Sequence, residues 1–177
     1  MKRKGRWSPK LVVLGVGVLA LSAFVTPRSG QVKSKTETPA APGSPIAVQD
    51  HEVDGVEVAL LEVKRASGDT VNIRWQYRNK TNETKALQHG AAAGMDSFRF
   101  ASDAYFLDAN QNKYVVLKDA QGYPQAAKHE QFKFSISLAP KQTVNTWAKF
   151  AAPPADVEKV NVYLPGAPPF EDIGIGK

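Results

Sequence analysis

The chain has 177 residues, which is enough for one ordinary domain with a leader and a linker but short for two separate cores. It contains no cysteine, which excludes disulfides, thiolate metal sites and a cysteine nucleophile. The formal net charge is +6, but eight of the 23 basic residues and no acidic residue precede Glu37, so the remaining 15 basic residues face 17 acidic ones. A nearly neutral folded region lacks the excess positive charge that attracts nucleic acid, so we predict no nucleic-acid partner.

The amino terminus has the pattern of a secretory signal. A positively charged opening, residues 2–10, precedes the uncharged and mostly apolar run 11–25. A run of about 15 residues is short for a membrane-spanning helix of about 20, and Ala20 and Ser22 have the spacing that a signal peptidase reads. We predict a signal peptide over residues 1–25 and an extracytoplasmic location, either secreted or periplasmic. An uncleaved membrane anchor is the alternative, and it is the one membrane contact that the sequence predicts.

Residues 26–46 have the composition of a flexible linker. They are rich in Pro, Ser, Thr and Lys and show no apolar periodicity. Such a segment cannot bury enough apolar surface to offset the entropy of ordering it. We expect it to space the domain from the membrane or, after cleavage, to have no further role. The folded domain is then predicted over residues 47–177.

From Val53 onward the apolar residues recur with a period of two, which is typical of half-buried β-strands. The clearest strand is 70–78, where Trp75 lies on the apolar face. Further strands are predicted at 56–64, 104–108, 113–118, 132–138, 143–151 and 160–164. About seven short strands separated by turn residues predict an all-β fold, an antiparallel sandwich, with a small barrel as the alternative.

Two of these strands are irregular. In 56–64 the apolar set changes phase at Leu60 and Leu61, which predicts a β-bulge there. In 143–151 the alternation places Trp147 on the polar face of the strand. The ring is then either an exposed contact or, as we expect, covered by a loop or by the tail near Phe170.

A series of strand and turn segments covers most of the chain. It comprises Leu138-Ala139-Pro140, Val144, Trp147-Ala148-Lys149-Phe150, Ala152-Pro153-Pro154, residues 160–166 and Pro168-Pro169-Phe170-Glu171-Asp172, together with residues 62–65 and 70–75. This series resembles exported bacterial immunoglobulin-like domains, a group of mostly uncharacterised function that includes secreted mycobacterial antigens. The resemblance implies an immunoglobulin-like β-sandwich and brings no active site with it.

Three side chains are candidate metal ligands: His89, Met95 and His129. Imidazole and thioether groups suit copper, so the alternative function is a periplasmic copper-binding or copper-delivery protein. The competing interpretation is that the histidines are solvated loop residues, because the His and Met residues show no repeated spacing.

Four aromatic side chains are the best candidates for a binding surface: Trp147, Tyr105, Tyr123 and Tyr163. Packing beneath the loops is the alternative for each of them. No nucleophile elbow is present, and two glycosylation sequons, at Asn79 and Asn82, are better explained by a turn. The sequence therefore predicts no catalytic residue and no cofactor. It favours a non-enzymatic domain of the cell envelope or extracellular space that binds an envelope protein or a cell-wall component.

Overall fold

The structure, a computed structural model, describes residues 44–88, 98–129 and 135–177. The predicted signal peptide and nearly all of the predicted linker lie outside these ranges. Within them, no helix has the length and apolar character needed to cross a membrane.

The regular structure of the described chain is mostly antiparallel β-strand with almost no helix, which confirms the predicted all-β class. The elements are β1 (Ala47–Asp50), β2 (Val56–Ala66), β3 (Thr70–Asn79), β4 (Lys85–Gln88), α1 (Arg99–Ser102), β5 (Tyr105–Leu107), β6 (Lys113–Val115), β7 (Ser135–Leu138), β8 (Thr143–Ala151), β9 (Lys159–Tyr163) and β10 (Phe170–Gly174). Sheet 1 has the strand order β1-β2-β3-β8, sheet 2 has the order β10-β9-β5-β6, and β4 pairs with β7 in a two-stranded ribbon.

The inward faces of both sheets and of the β4–β7 ribbon contribute to one hydrophobic core. Trp75 on β3 is fully buried, as its alternation predicts. Phe106 of sheet 2 meets Phe150 of sheet 1 edge to face, with ring centroids 5.4 Å apart. Aromatic pairs in this geometry add to the free energy gained by burial, so this contact joins the two sheets directly.

The predicted phase change in β2 is a β-bulge. Leu60 pairs with Trp75 and Glu62 pairs with Arg74, so Leu61 is left without a partner on β3. The bulge lets apolar residues on both sides of it, Leu60 and Val63 among them, point into the core.

The outer edge of β2 also changes partner at the bulge. Its first half pairs with β1. Beyond the bulge, Gly176 forms a parallel bridge with Lys64 of β2. The Gly176 amide donates to the Val63 carbonyl at 2.8 Å, and its carbonyl accepts from the Arg65 amide at 2.9 Å. The segment after β10 therefore links sheet 2 to sheet 1.

A second link lies on the opposite side of the domain. The chain continues from β6 into Val116, which pairs with Phe150 of β8, and the Leu117 amide donates to the Lys149 carbonyl at 2.9 Å. Strands thus switch sheets on both sides, which gives a sandwich-like fold with features of the barrel alternative.

Asn79 fixes the corner at which β3 ends and β7 turns into β8. Its buried Nδ2 lies 2.7, 3.1 and 2.9 Å from the carbonyls of Glu83, Leu138 and Ala139. Its Oδ1 accepts from the amide and the hydroxyl of Thr81, at 2.9 and 2.8 Å. The sequon that begins at Asn79 is therefore a structural turn, with its amide engaged inside the protein.

Tyr77 connects the sheets at the end of the domain that holds the turn between β9 and β10. Its hydroxyl donates to the Pro165 carbonyl at 3.1 Å, and its ring meets His51 edge to face. Gly166 has a φ of +76°, and a Cβ there would lie 2.1 Å from Nε2 of His51, so only glycine fits. Complete burial raises the pKa of Tyr77 well above its ordinary value of 10.0.

The first prediction concerns Trp75. Trp75→Ala is expected to lower the free energy of unfolding by about 3–5 kcal/mol, because it leaves a cavity in the core. Urea denaturation followed by circular dichroism measures the change. A loss below about 1 kcal/mol would contradict the burial of this ring.

The second prediction compares the two sequon asparagines. Asn79→Ala should cost about 2 kcal/mol or more, because it removes the side-chain hydrogen bonds to the buried Leu138 carbonyl and to the part-buried carbonyls of Glu83 and Ala139. Asn82→Ala is the matched control: Asn82 is exposed three residues away, and its replacement should change stability by less than about 0.5 kcal/mol. Equal melting temperatures for the two variants would contradict the role assigned to Asn79.

The third prediction uses the raised pKa of Tyr77. Above about pH 10 the unfolded chain releases this proton while the native chain retains it, so unfolding becomes easier as the pH rises, by up to about 1.4 kcal/mol per pH unit. Tyr77→Phe should be less stable near pH 7, because the hydrogen bond to Pro165 is lost, and should lack this part of the alkaline slope. Urea unfolding from about pH 9 to pH 11.5 tests both points, and parallel slopes for the two proteins would refute the pKa assignment.

Candidate interaction surfaces

Two of the predicted aromatic residues form one stack on the outer face of sheet 2. Tyr105 of β5 pairs with Tyr163 of β9, and their rings are parallel, with centroids 4.5 Å apart and an interplanar angle of 6°. Side chains alternate along β5 and β9, so the neighbouring pair Phe106 and Val162 points into the core while Tyr105 and Tyr163 point outward. Strand pairing has therefore brought together two tyrosines that are far apart in sequence.

Two neighbours on β6 complete this surface. Val115 lies opposite Tyr105 and is 58% exposed. Lys113 places its ammonium 3.9 Å from the centre of the Tyr105 ring, which is a cation–π contact. We call Tyr105, Tyr163, Lys113 and Val115 the tyrosine patch.

The turn between β5 and β6 positions this patch. Its buried Asp108 accepts hydrogen bonds from the amides of Asn110 and Asn112, from the Asn112 side chain and from the Tyr114 hydroxyl, at 2.8–3.2 Å. These bonds, led by the Asn112 side chain, hold the pKa of Asp108 below its usual range. The carboxylate is thus occupied in fixing the turn.

Trp147 lies on the outer face of sheet 1. β8 pairs with β3 without interruption from Thr143 to Ala151, so no bulge rotates Trp147 away from the polar side, and the ring is 44% exposed. The expectation that a loop or the tail near Phe170 covers this ring is wrong, since Phe170 is itself buried in the core. The directly opposite residue on β3 is Arg74.

An amide network holds the polar side chains beside Trp147. Gln76 donates from Nε2 to Oδ1 of Asn145 at 2.7 Å. Its Oε1 accepts from Nε and Nη2 of Arg78, at 2.9 and 2.8 Å. We call eight outward residues of these two strands the β3–β8 face, leaving out only the outward pair Thr70 and Ala151 at one end; they are Asn72, Arg74, Gln76, Arg78, Thr143, Asn145, Trp147 and Lys149.

Tyr123 lies in a small hairpin attached to β8. Oδ1 of Asp119 accepts from the amides of Gln121 and Tyr123, both at 2.9 Å, which closes the turn. The Lys149 amide donates to the Gln125 carbonyl at 2.9 Å and so ties the hairpin to the strand that carries Trp147. Tyr123 is 60% exposed, and it lies in a turn, whereas the other three predicted aromatics lie on strands.

Of the predicted metal ligands, His89 and Met95 lie outside the described residues. His129 is half-buried with Nε2 3.1 Å from the hydroxyl of Thr146, and its burial lowers its pKa. In the part of the chain that the structure describes, no three His, Cys, Asp or Glu side chains are grouped closely enough to hold a metal ion. The copper site stays a prediction.

The fold and these surfaces define an all-β, sandwich-like protein with an exposed tryptophan on the outer face of sheet 1 and two half-buried, stacked tyrosines on the outer face of sheet 2. A scan of protein-family models gives no match, and searches of curated proteins and of solved structures give none either.

Proposed function

We propose that this chain is an exported, non-enzymatic, immunoglobulin-like domain of the cell envelope or extracellular space, and that it binds an envelope protein or a cell-wall component. Export is supported by the charged and apolar segments within residues 1–25. The immunoglobulin-like assignment is supported by antiparallel strands in two main sheets around one core and by the resemblance of the turn series.

The observation that carries the binding proposal is the tyrosine patch. The Tyr105–Tyr163 stack is flat and lies on hydrogen-bonded strands, so its rings are ordered before a partner arrives. Ordered groups lose little entropy on association. Tyrosine supplies a large contact area with few rotatable bonds and is enriched at interfaces.

Val115 gives the patch an apolar centre. Its side chain is more than half exposed beside Tyr105, and burial of apolar surface contributes about 25 cal/mol per Å². Lys113 lies beside it with an exposed side chain, which matches the pattern of an apolar centre with a polar rim. A protein partner suits this combination best.

The fourth prediction tests the patch with two valines. The tagged full-length chain is crosslinked to its partners in intact producing cells and then captured. Val115→Asp places a charge at the centre of the patch and should lower the amount of partner recovered at least about tenfold. Val48→Asp is the matched control, because Val48 is an exposed strand valine on sheet 1, and it should leave recovery unchanged. Equal recovery from both variants would refute the patch as the contact.

The same preparation tests the wider proposal. Fractionation of the cells should place the protein outside the cytoplasm, and an exclusively cytoplasmic chain would refute export. Metal analysis of the purified chain should show no stoichiometric copper. One copper per chain would favour the copper-binding alternative instead.

A further inference from the structure

We propose that the β3–β8 face binds a glycan that contains uronic acids, with Trp147 stacking on a sugar ring and Arg74 binding the carboxylate of that ring. This inference rests on the proposed function in one respect, that the ligand is a component met outside the cytoplasm. It concerns sheet 1, whereas the tyrosine patch lies on sheet 2.

The charge of the face favours an anionic ligand. Its eight outward positions include three cations, Arg74, Arg78 and Lys149, and no Asp or Glu. On the neighbouring strand β2, Glu57 and Glu62 lie directly opposite Arg78 and Arg74, and Lys64 lies opposite Asn72. Glu57 forms an ion pair with Lys80 at 3.4 Å, and the four outward cations of the three strands, Lys64, Arg74, Arg78 and Lys149, outnumber the two glutamates. Among the described residues no ion pair engages Arg74, so its guanidinium keeps its capacity for a ligand.

The position of Trp147 beside Arg74 favours a ligand whose sugar ring itself carries a carboxylate. Trp147 and Arg74 are directly opposite each other on neighbouring strands, a spacing of about 5 Å. In a uronic acid the carboxylate is attached to the sugar ring itself. A ring stacked on Trp147 therefore has its carboxylate within reach of Arg74, whose planar fork suits two parallel hydrogen bonds.

The amide network favours a hydroxyl-rich ligand and prepares the face for it. Gln76 fixes both Arg78 and Asn145 before binding, which lowers the entropy lost on association. The Asn145 amide group and the second terminal nitrogen of Arg78 can donate to sugar hydroxyls or a further carboxylate.

Other polyanions fit this face less well. Three cations give little of the phosphate neutralisation on which nucleic-acid binding depends. An acidic peptide supplies carboxylates but no sugar ring to stack. A lipid surface rewards buried apolar area, and seven of the eight outward positions are polar.

The test measures binding of the full-length chain to hyaluronan oligosaccharides, in which a uronic acid alternates with a neutral sugar. Calorimetry at low salt should detect binding, and the same oligosaccharides with their carboxyl groups reduced should bind at least about tenfold more weakly. Trp147→Ala should weaken binding about tenfold or more, and Arg74→Gln about fivefold. Trp147→Phe, which keeps an aromatic face, should retain most of the affinity.

Val115→Asp and Lys113→Gln on the tyrosine patch are the matched controls and should leave glycan affinity unchanged. Melting temperatures verify that every variant is folded. The proposal would be overturned if hyaluronan oligosaccharides did not bind, or if their carboxyl-reduced forms bound equally well. It would also be overturned if polyglutamate, polyphosphate or phosphatidylglycerol vesicles bound with the same affinity as the oligosaccharides. So would an unaltered affinity of Trp147→Ala. If glycan binding is absent while partner capture still depends on Val115, only the present inference fails; if the chain is cytoplasmic, the proposed function fails with it.

Discussion

The unpaired residue in β2 is the constraint on which the arrangement of the sheets depends. Side chains alternate along a strand, so apolar residues before and after Leu61 can both face the core only if one residue is left out of the pairing. The same position divides the outer edge of β2 between β1 and the segment at Gly176. The irregularity thus serves the core and lies where the outer edge of β2 passes from β1 to the segment at Gly176, two partners that shield this edge from other chains.

Features encoded by neighbouring residues could be predicted from the sequence. The strand predicted at 70–78 is β3, the bulge lies at Leu61, and Trp75 is buried. Each depends on a local alternation that any window of a few residues shows. The sheet order and the links through Val116 and Gly176 could not be predicted, because strand pairing is non-local and one sequence carries no signal for it.

The candidate surfaces show the same limit. Tyr105 and Tyr163 were predicted one by one, but their stack depends on the pairing of β5 with β9. The sequence alone does not predict that Arg74 and Gln76 lie beside Trp147 and Asn145: alternation places them on the polar side of β3, and only the register with β8 brings these residues together. For Trp147 the alternation was the correct signal, and the preference for a cover was wrong. Export, metal binding and the partner stay predictions.

The pairing of Gly176 with β2 has a consequence for the order of events during biosynthesis. β2 is among the first strands to be synthesised, yet beyond the bulge its outer edge is paired at Lys64 by Gly176, which follows β10. β3 likewise pairs with β8, and β5 pairs with β9, so each of these earlier strands gains a partner that is synthesised much later. Contacts so distant in sequence cannot form strand by strand as the chain emerges. Only the consecutive strands β1, β2 and β3 can pair early, so the pairing of the two main sheets is not complete until the segment that follows β10 has been made.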